Sequence, residues 1–99
     1  MIDLDRIIGF EWDPGNARKN EKHGVSQSEA EQVFFDPRLL MVADPSHSAD
    51  EQRYHALGTT LDRRFLHIAF TLRAEGILIR VISARDMHRK EREIYAHED

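Results

Sequence analysis

The chain has 99 residues and 11.6 kDa, 40% apolar and 32% charged, which suits one domain over residues 1–99 with a single core burying roughly 60–65% of the unfolded surface. It has no cysteine, which excludes a disulfide framework, a thiolate zinc site and a cysteine nucleophile, and no apolar run approaches the ~20 residues needed to span a bilayer. The net charge of −4 hides an asymmetry: residues 1–51 carry 5 Lys/Arg against 11 Asp/Glu, and residues 52–99 carry 9 against 7, so the arginine-rich second half can present a cationic face of planar forks suited to phosphate or carboxylate.

Met1–Arg6 is acidic where a secretory signal is basic and then apolar, so the chain is expected in the cytoplasm and off the membrane. Ile7–Trp12 reads as a strand. Asp13 then caps a helix that opens on Pro14 and runs to about His23, with Gly24 as its stop. Ser26 and Glu29 form a capping-box pattern for a second helix with Ala30, Val33 and Phe34 as its apolar stripe, closed by Asp36-Pro37. Leu39–Ala43 is a short strand, and a polar loop from Asp44 to Glu51 follows it. Arg53–Gly58 is a strand, and Phe65–Leu72 alternates strictly, with Leu66, Ile68, Phe70 and Leu72 on one side. After the connection Arg73–Gly76, the almost wholly apolar Ile77–Ala84 reads as a central strand. A charged helix starts at Ser83 or Asp86 and ends near His97, with Met87, Ile94 and Tyr95 as contacts. The order β-α-α-β-β-β-β-α with short connections predicts an α+β domain, an antiparallel sheet with helices packed on one face.

Arg80 interrupts the apolar run, where an unpaired buried charge would cost several kcal/mol. With a two-residue loop at Ala74-Glu75, Leu72 faces Ile77 and Phe70 faces Ile79, while the opposite surface pairs Ala69 with Arg80 and sets His67 diagonally beside it. The bland alternative pairs Arg80 with Asp50 or Glu51 and leaves His67 an ordinary exposed histidine; on these two residues alone it is the better reading. Lys22-His23-Gly24 offers a fixed cation beside a group titrating near neutrality, or simply a basic helix end before a glycine stop. Ser83-Ala-Arg85-Asp86 offers helix amides and a guanidinium to an anion, or a plain capping box. The sequence has no glycine-rich phosphate loop, H-E-x-x-H or G-x-S-x-G. His47, His55, His67, His88 and His97 lack zinc-ligand spacing, and the mixed signs of Met87–Glu93 read as a solvated face.

Taken together, Phe10-Glu-Trp-Asp-Pro14, Asn20-Glu-Lys-His-Gly-Val25, Glu29-Ala30 and Val33-Phe-Phe-Asp-Pro37 resemble the N-terminal half of the BrnT toxin family. Arg80-Val-Ile-Ser-Ala-Arg85, Glu91-Arg92 and Tyr95 resemble its C-terminal half. The resemblance implies a RelE-like fold and a toxin of a type II toxin–antitoxin pair that halts translation by cleaving RNA. It implies neutralisation by a BrnA-like antitoxin that dimerises through a ribbon-helix-helix domain, here as a 2:2 heterotetramer, with operator DNA bound through the antitoxin. Two positions depart from the family: Asn16 stands where lysine is frequent, and Gln27 where an aromatic residue is usual.

Metal-free RNA cleavage needs a base for the 2′-hydroxyl, an acid for the leaving 5′-oxygen and cations for the phosphorane charge, and no cofactor or metal. Arg64, Arg80 and Arg85 are the expected phosphate binders, gathered around a shallow pocket. Lys22 and His23 are the expected proton-transfer or orienting groups with His67 in reserve for that role, and His67 and Trp12 are the expected RNA contacts, Trp12 offering a stacking face for a base. Two other readings stand beside this one. In the first, an inactive module of the toxin fold binds only the antitoxin and serves as co-repressor. The second, a DNA-binding regulator acting alone, is disfavoured because no helix gathers Lys/Arg on one side. The acidic first half suits attraction of a Lys/Arg-rich antitoxin segment.

Overall fold

Local stop signals set the two N-terminal helices. The computed structural model describes residues 2–47 and 51–97, beginning with a 3-10 turn at Leu4–Arg6 and β1 at Gly9–Glu11. Asp13 Oδ1 accepts from the amides of Gly15 at 2.8 Å and Asn16 at 3.1 Å, capping α1 (Pro14–Lys22). Gly24 ends that helix at φ +69°, a conformation that a Cβ disfavours. At the head of α2 (Gln27–Val33) the capping box is complete: Ser26 Oγ accepts from the Glu29 amide, and a Glu29 carboxylate oxygen accepts from the Ser26 amide, both at 3.0 Å.

Beyond α2 come β2 (Leu40–Asp44), a 3-10 turn at Pro45–His47, β3 (Arg53–Thr59), β4 (Phe65–Arg73), β5 (Leu78–Asp86) and α3 (Arg89–His97). The five strands form one sheet in the order β1-β5-β4-β3-β2. The fold is α+β, as expected, but the sheet is mixed rather than wholly antiparallel. β1 pairs parallel with β5, Gly9 opposite Leu78 and Glu11 opposite Arg80. The two helices carry the chain from β1 to the far edge, and three antiparallel steps return it beside β1, running the same way.

Strand alternation gives the sheet two unlike faces. On the first, Ala56, Leu66, Ile68, Phe70, Ile79, Val81 and Ala84 meet Val25, Ala30, Val33 and Phe34 from the α1–α2 side to form the core. Phe34 lies edge-on to Phe70 at 5.0 Å. Gly58 is required here, because a Cβ would come within 2.8 Å of Val33 Cγ1. Asn16 is buried beneath α1, its Nδ2 donating to the carbonyls of Glu11 (2.9 Å) and Val81 (3.0 Å). The departure from lysine at this position therefore serves as a clamp between α1 and the sheet.

The second face carries His55, Leu57, Phe65, His67, Thr71, Arg80 and Arg85. The expectation that all helices pack on one face is corrected here. Tyr95 of α3 stands edge-on to Phe65 at 5.8 Å, and Glu91 of α3 binds Arg85, so α3 covers the face opposite α1 and α2. Tyr95 is anchored further by donating its hydroxyl hydrogen to Asp36 Oδ2 at 2.5 Å.

Two local expectations also change. The β4–β5 turn spans residues 74–77 rather than two residues, with Ala74, Glu75 and Gly76 all at positive φ and the Ile77 amide donating to the Arg73 carbonyl. This sets Arg80 opposite Thr71, and a bulge at Ala69/Phe70 then brings His67 opposite Arg85. The second change concerns Ser83–Asp86, which remains strand, so no helix begins there. α3 starts at Arg89, where Glu91 Oε1 accepts from the His88 amide at 2.9 Å.

Candidate active site on the second sheet face

Between α3 and strands β2–β5 runs a groove of about 430 Å³, with Leu40, Val42, Leu57 and Ile94 as an aliphatic wall and His55, His67, Arg85 and Glu91 as its polar part. The polar side chains belong to two connected sets. Asp44 Oδ2 lies 2.7 Å from His55 Nε2, and His55 Nδ1 lies 2.9 Å from His67 Nε2. Beside them, the Arg85 guanidinium grips Glu91 in a fork at 2.8 and 3.0 Å, and Glu91 Oε2 sits 4.0 Å from His67 Nε2.

The buried Asp44 carboxylate accepts from His55 Nε2, and the hydrogen between His55 Nδ1 and His67 Nε2 sits on one ring or the other with the tautomer. The other ring nitrogen of His67, Nδ1, is buried and has no partner. Burial, aided by the Arg85 guanidinium, pushes His67 down to about 4, so the imidazole is neutral at physiological pH. Glu91 shows the opposite outcome. Burial alone would raise it, but the Arg85 fork, the His88 amide and His67 hold it at about 2.

The other expected site residues lie elsewhere. Arg64, just before β4, donates from Nε to Asp86 at 2.8 Å and from Nη1 to Glu29 and to the Gly24 carbonyl. Its ionisation is shifted up, chiefly by Asp86. Arg80 pairs with Glu11 at 2.9 Å and Asp13 at 2.8 Å, and its ionisation is also raised, Asp13 contributing most. Neither Asp50 nor Glu51 is the partner observed for it: Asp50 lies outside the described residues, and Glu51 binds Arg73. Trp12 Nε1 donates to Glu31 at 2.7 Å. Lys22 and His23 are exposed at the end of α1.

The expectation of one pocket ringed by guanidinium groups is therefore not met, because each of the three arginines is held by its own carboxylates. Arg85 alone of the three joins His67 in the groove, while Arg64 lines a smaller cleft with Arg63, Phe65 and Arg92. Arg64 still connects two of the expected segments, binding the carbonyl that follows His23 and the carboxylate that follows Arg85. Sequence reasoning did not find Asp44, His55 or Glu91. His55 and His67 each alternate with the core residues of their strands, and that pattern was the available signal that both point away from the core.

Among the described residues, no set of three or more His, Asp or Glu side chains is arranged to hold a metal ion, and no helix is long and apolar enough to cross a membrane. No curated protein matches the chain. A family model described as the ribonuclease toxin BrnT of type II toxin–antitoxin systems matches residues 12–91, a span that holds His55, His67, Arg85 and Glu91. That span covers about four-fifths of the sequence, and the chain belongs to the BrnT family of ribonuclease toxins, whose partner is an antitoxin.

Proposed function

We propose that this protein is an endoribonuclease with a RelE-like scaffold that acts in the cytoplasm, cleaves RNA without a metal ion and so stops translation. The observation that carries the reading is the meeting of His67, His55 and Arg85 in one groove. Arg85 meets the phosphate charge, and a ring nitrogen of the His55–His67 contact, freed when that contact opens, accepts the 2′-hydroxyl proton as the 2′-oxygen bonds to phosphorus. The P–O5′ bond breaks, the leaving oxygen takes a proton from water, and the imidazolium returns its proton to the hydroxide. Arg64, Lys22 and His23, joined through Gly24 and Asp86 at one end of the sheet, extend a track for the RNA backbone, with Arg63 and Arg92 beside them. Arg80 and Trp12, on their own carboxylate partners, are secondary contacts in this scheme. The antitoxin is a BrnA-like ribbon-helix-helix protein in a 2:2 complex, through which operator DNA is bound.

The test is incubation of the protein, made in a cell-free system, with single-stranded RNA in the presence of a chelator. Fragments ending in 2′,3′-cyclic phosphate are expected, together with growth arrest on induction without antitoxin. Soluble protein, normal growth and intact RNA would instead favour the second reading, a toxin-fold module that only binds antitoxin and co-represses its operon. The neutralisation of Arg64, Arg80 and Arg85 by carboxylates supports that second reading.

A further inference from the structure

The donors around Glu91 form a built anion seat. Three of them converge on one carboxylate: Arg85 Nη1 at 2.8 Å, Arg85 Nη2 at 3.0 Å and the His88 amide at 2.9 Å, with His67 Nε2 beside it at 4.0 Å. The three donors come from the end of β5 and the head of α3, and His67 approaches the same carboxylate from β4. A guanidinium fork fits the two oxygens of a carboxylate and the two non-bridging oxygens of a phosphodiester equally well. The seat opens onto the aliphatic wall of the groove, where Val42 is 62% exposed and Ile94 47% exposed, leaving apolar surface for a sugar and a base next to the phosphate.

We infer that the Glu91 carboxylate occupies the seat of the RNA phosphate, so that the free protein holds its own substrate site closed with a side chain. This rests on the ribonuclease reading above. Substrate enters by exchange of one anion for another, with Glu91 swinging out as a phosphate takes the Arg85 fork. α3 need not leave the sheet, because Tyr95 anchors it separately through Asp36 and Phe65. The groups facing the seat are His67 from β4, Arg85 from β5, His88 on the approach to α3 and, one imidazole further, His55 from β3.

Glu91→Gln tests this with little change in structure, since glutamine still caps the His88 amide but carries no charge. Binding is measured with the full chain and a 2′-O-methylated single-stranded oligonucleotide that cannot be cut. Glu91→Gln is expected to bind about tenfold more tightly than the wild type, and Arg85→Ala added to it should abolish the gain. Inorganic phosphate at millimolar concentration should compete more strongly against the variant than against the wild type. Unchanged or weaker oligonucleotide binding by folded Glu91→Gln overturns the inference. A second readout needs no variant. In the RNA complex, the Glu91 carboxyl should titrate by NMR in the ordinary glutamate range, and a value still near 2 overturns the exchange. If the wild type cuts RNA while these two measurements fail, the ribonuclease reading stands alone. If it neither binds nor cuts RNA, both fall.

Discussion

The two faces of this sheet are built from the same strands and share almost no chemistry. On β4, Leu66, Ile68 and Phe70 are fully buried against the helices, while His67, one residue away, is the buried polar link between His55 and the Arg85–Glu91 pair. The first face is closed by dispersion and the exclusion of water. The second is closed by ion pairs and by one helix. A substitution on the first should change stability, and one on the second should change activity, which gives a direct way to test the division.

The largest expected effect is on the first face. Phe70→Ala removes a side chain that packs with both Phe34 and Tyr54 and should cost about 3–5 kcal/mol in urea unfolding. On the second face, Arg85→Ala should slow RNA cleavage about a hundred- to thousandfold, measured on single-stranded substrate, while circular dichroism stays native. If it lowered stability as much as Phe70→Ala does, the contrast between the faces would fail. Gly58→Ala is intermediate. Its methyl would press on Val33 Cγ1 and on the Val33 carbonyl at 3.1 Å, and a loss of about 1–3 kcal/mol is expected.

Acid should act through the groups whose ionisation is lowered on folding, His67 first and then the partnered carboxylates. Asp36 works against its own burial: Tyr95, the Arg38 amide and Thr59 together hold it below the ordinary range, as the Arg85 fork does for Glu91. A group lowered on folding contributes stability above its unfolded value and loses it as pH falls toward its folded value. Stability should therefore decline in two stages, from near pH 6.5 to 4 as the buried His67 resists the proton that the unfolded chain takes up, and from near pH 4.5 toward pH 2 through the carboxylates; Glu91→Gln should flatten part of the second stage in a pH series of thermal melts. The smallest effect concerns Arg63, which sits at φ +68° in the turn before β4. Arg63→Gly relieves that conformation at the expense of a more flexible unfolded chain, so the change should stay within about 1 kcal/mol.

What the sequence made legible follows the range of the interactions involved. The Ser26–Glu29 box, the Gly24 stop and the alternation of β4 are written within four to eight residues, and each is found in place. The pairing of His67 with Arg85 is not local. It depends on a four-residue turn in which Ala74 and Glu75, residues with no special liking for positive φ, adopt it, and on a bulge that skips Ile82. Neither leaves a mark in the residue types. Ser83 and Asp86 have the chemistry of a cap while lying in strand, and α3 starts only at Arg89. His67 and Arg85 were identifiable one at a time. Asp44 and His55 become partners of His67 only once the register of β2, β3 and β4 is known, and Glu91 joins Arg85 only because α3 starts at Arg89.

The parallel pairing at the sheet edge has a consequence for how the molecule is made. β1 finds its hydrogen-bonding neighbour in β5, with Glu11 and Arg80 separated by 69 positions. A nascent chain halted before Leu78 holds a first strand with nothing to lie against, and it lacks the strand that brings Arg85. The edge and the groove are thus completed by the same late stretch of polypeptide. For a protein proposed to cleave RNA, this means that no working copy exists until the strand carrying Arg85 has been made.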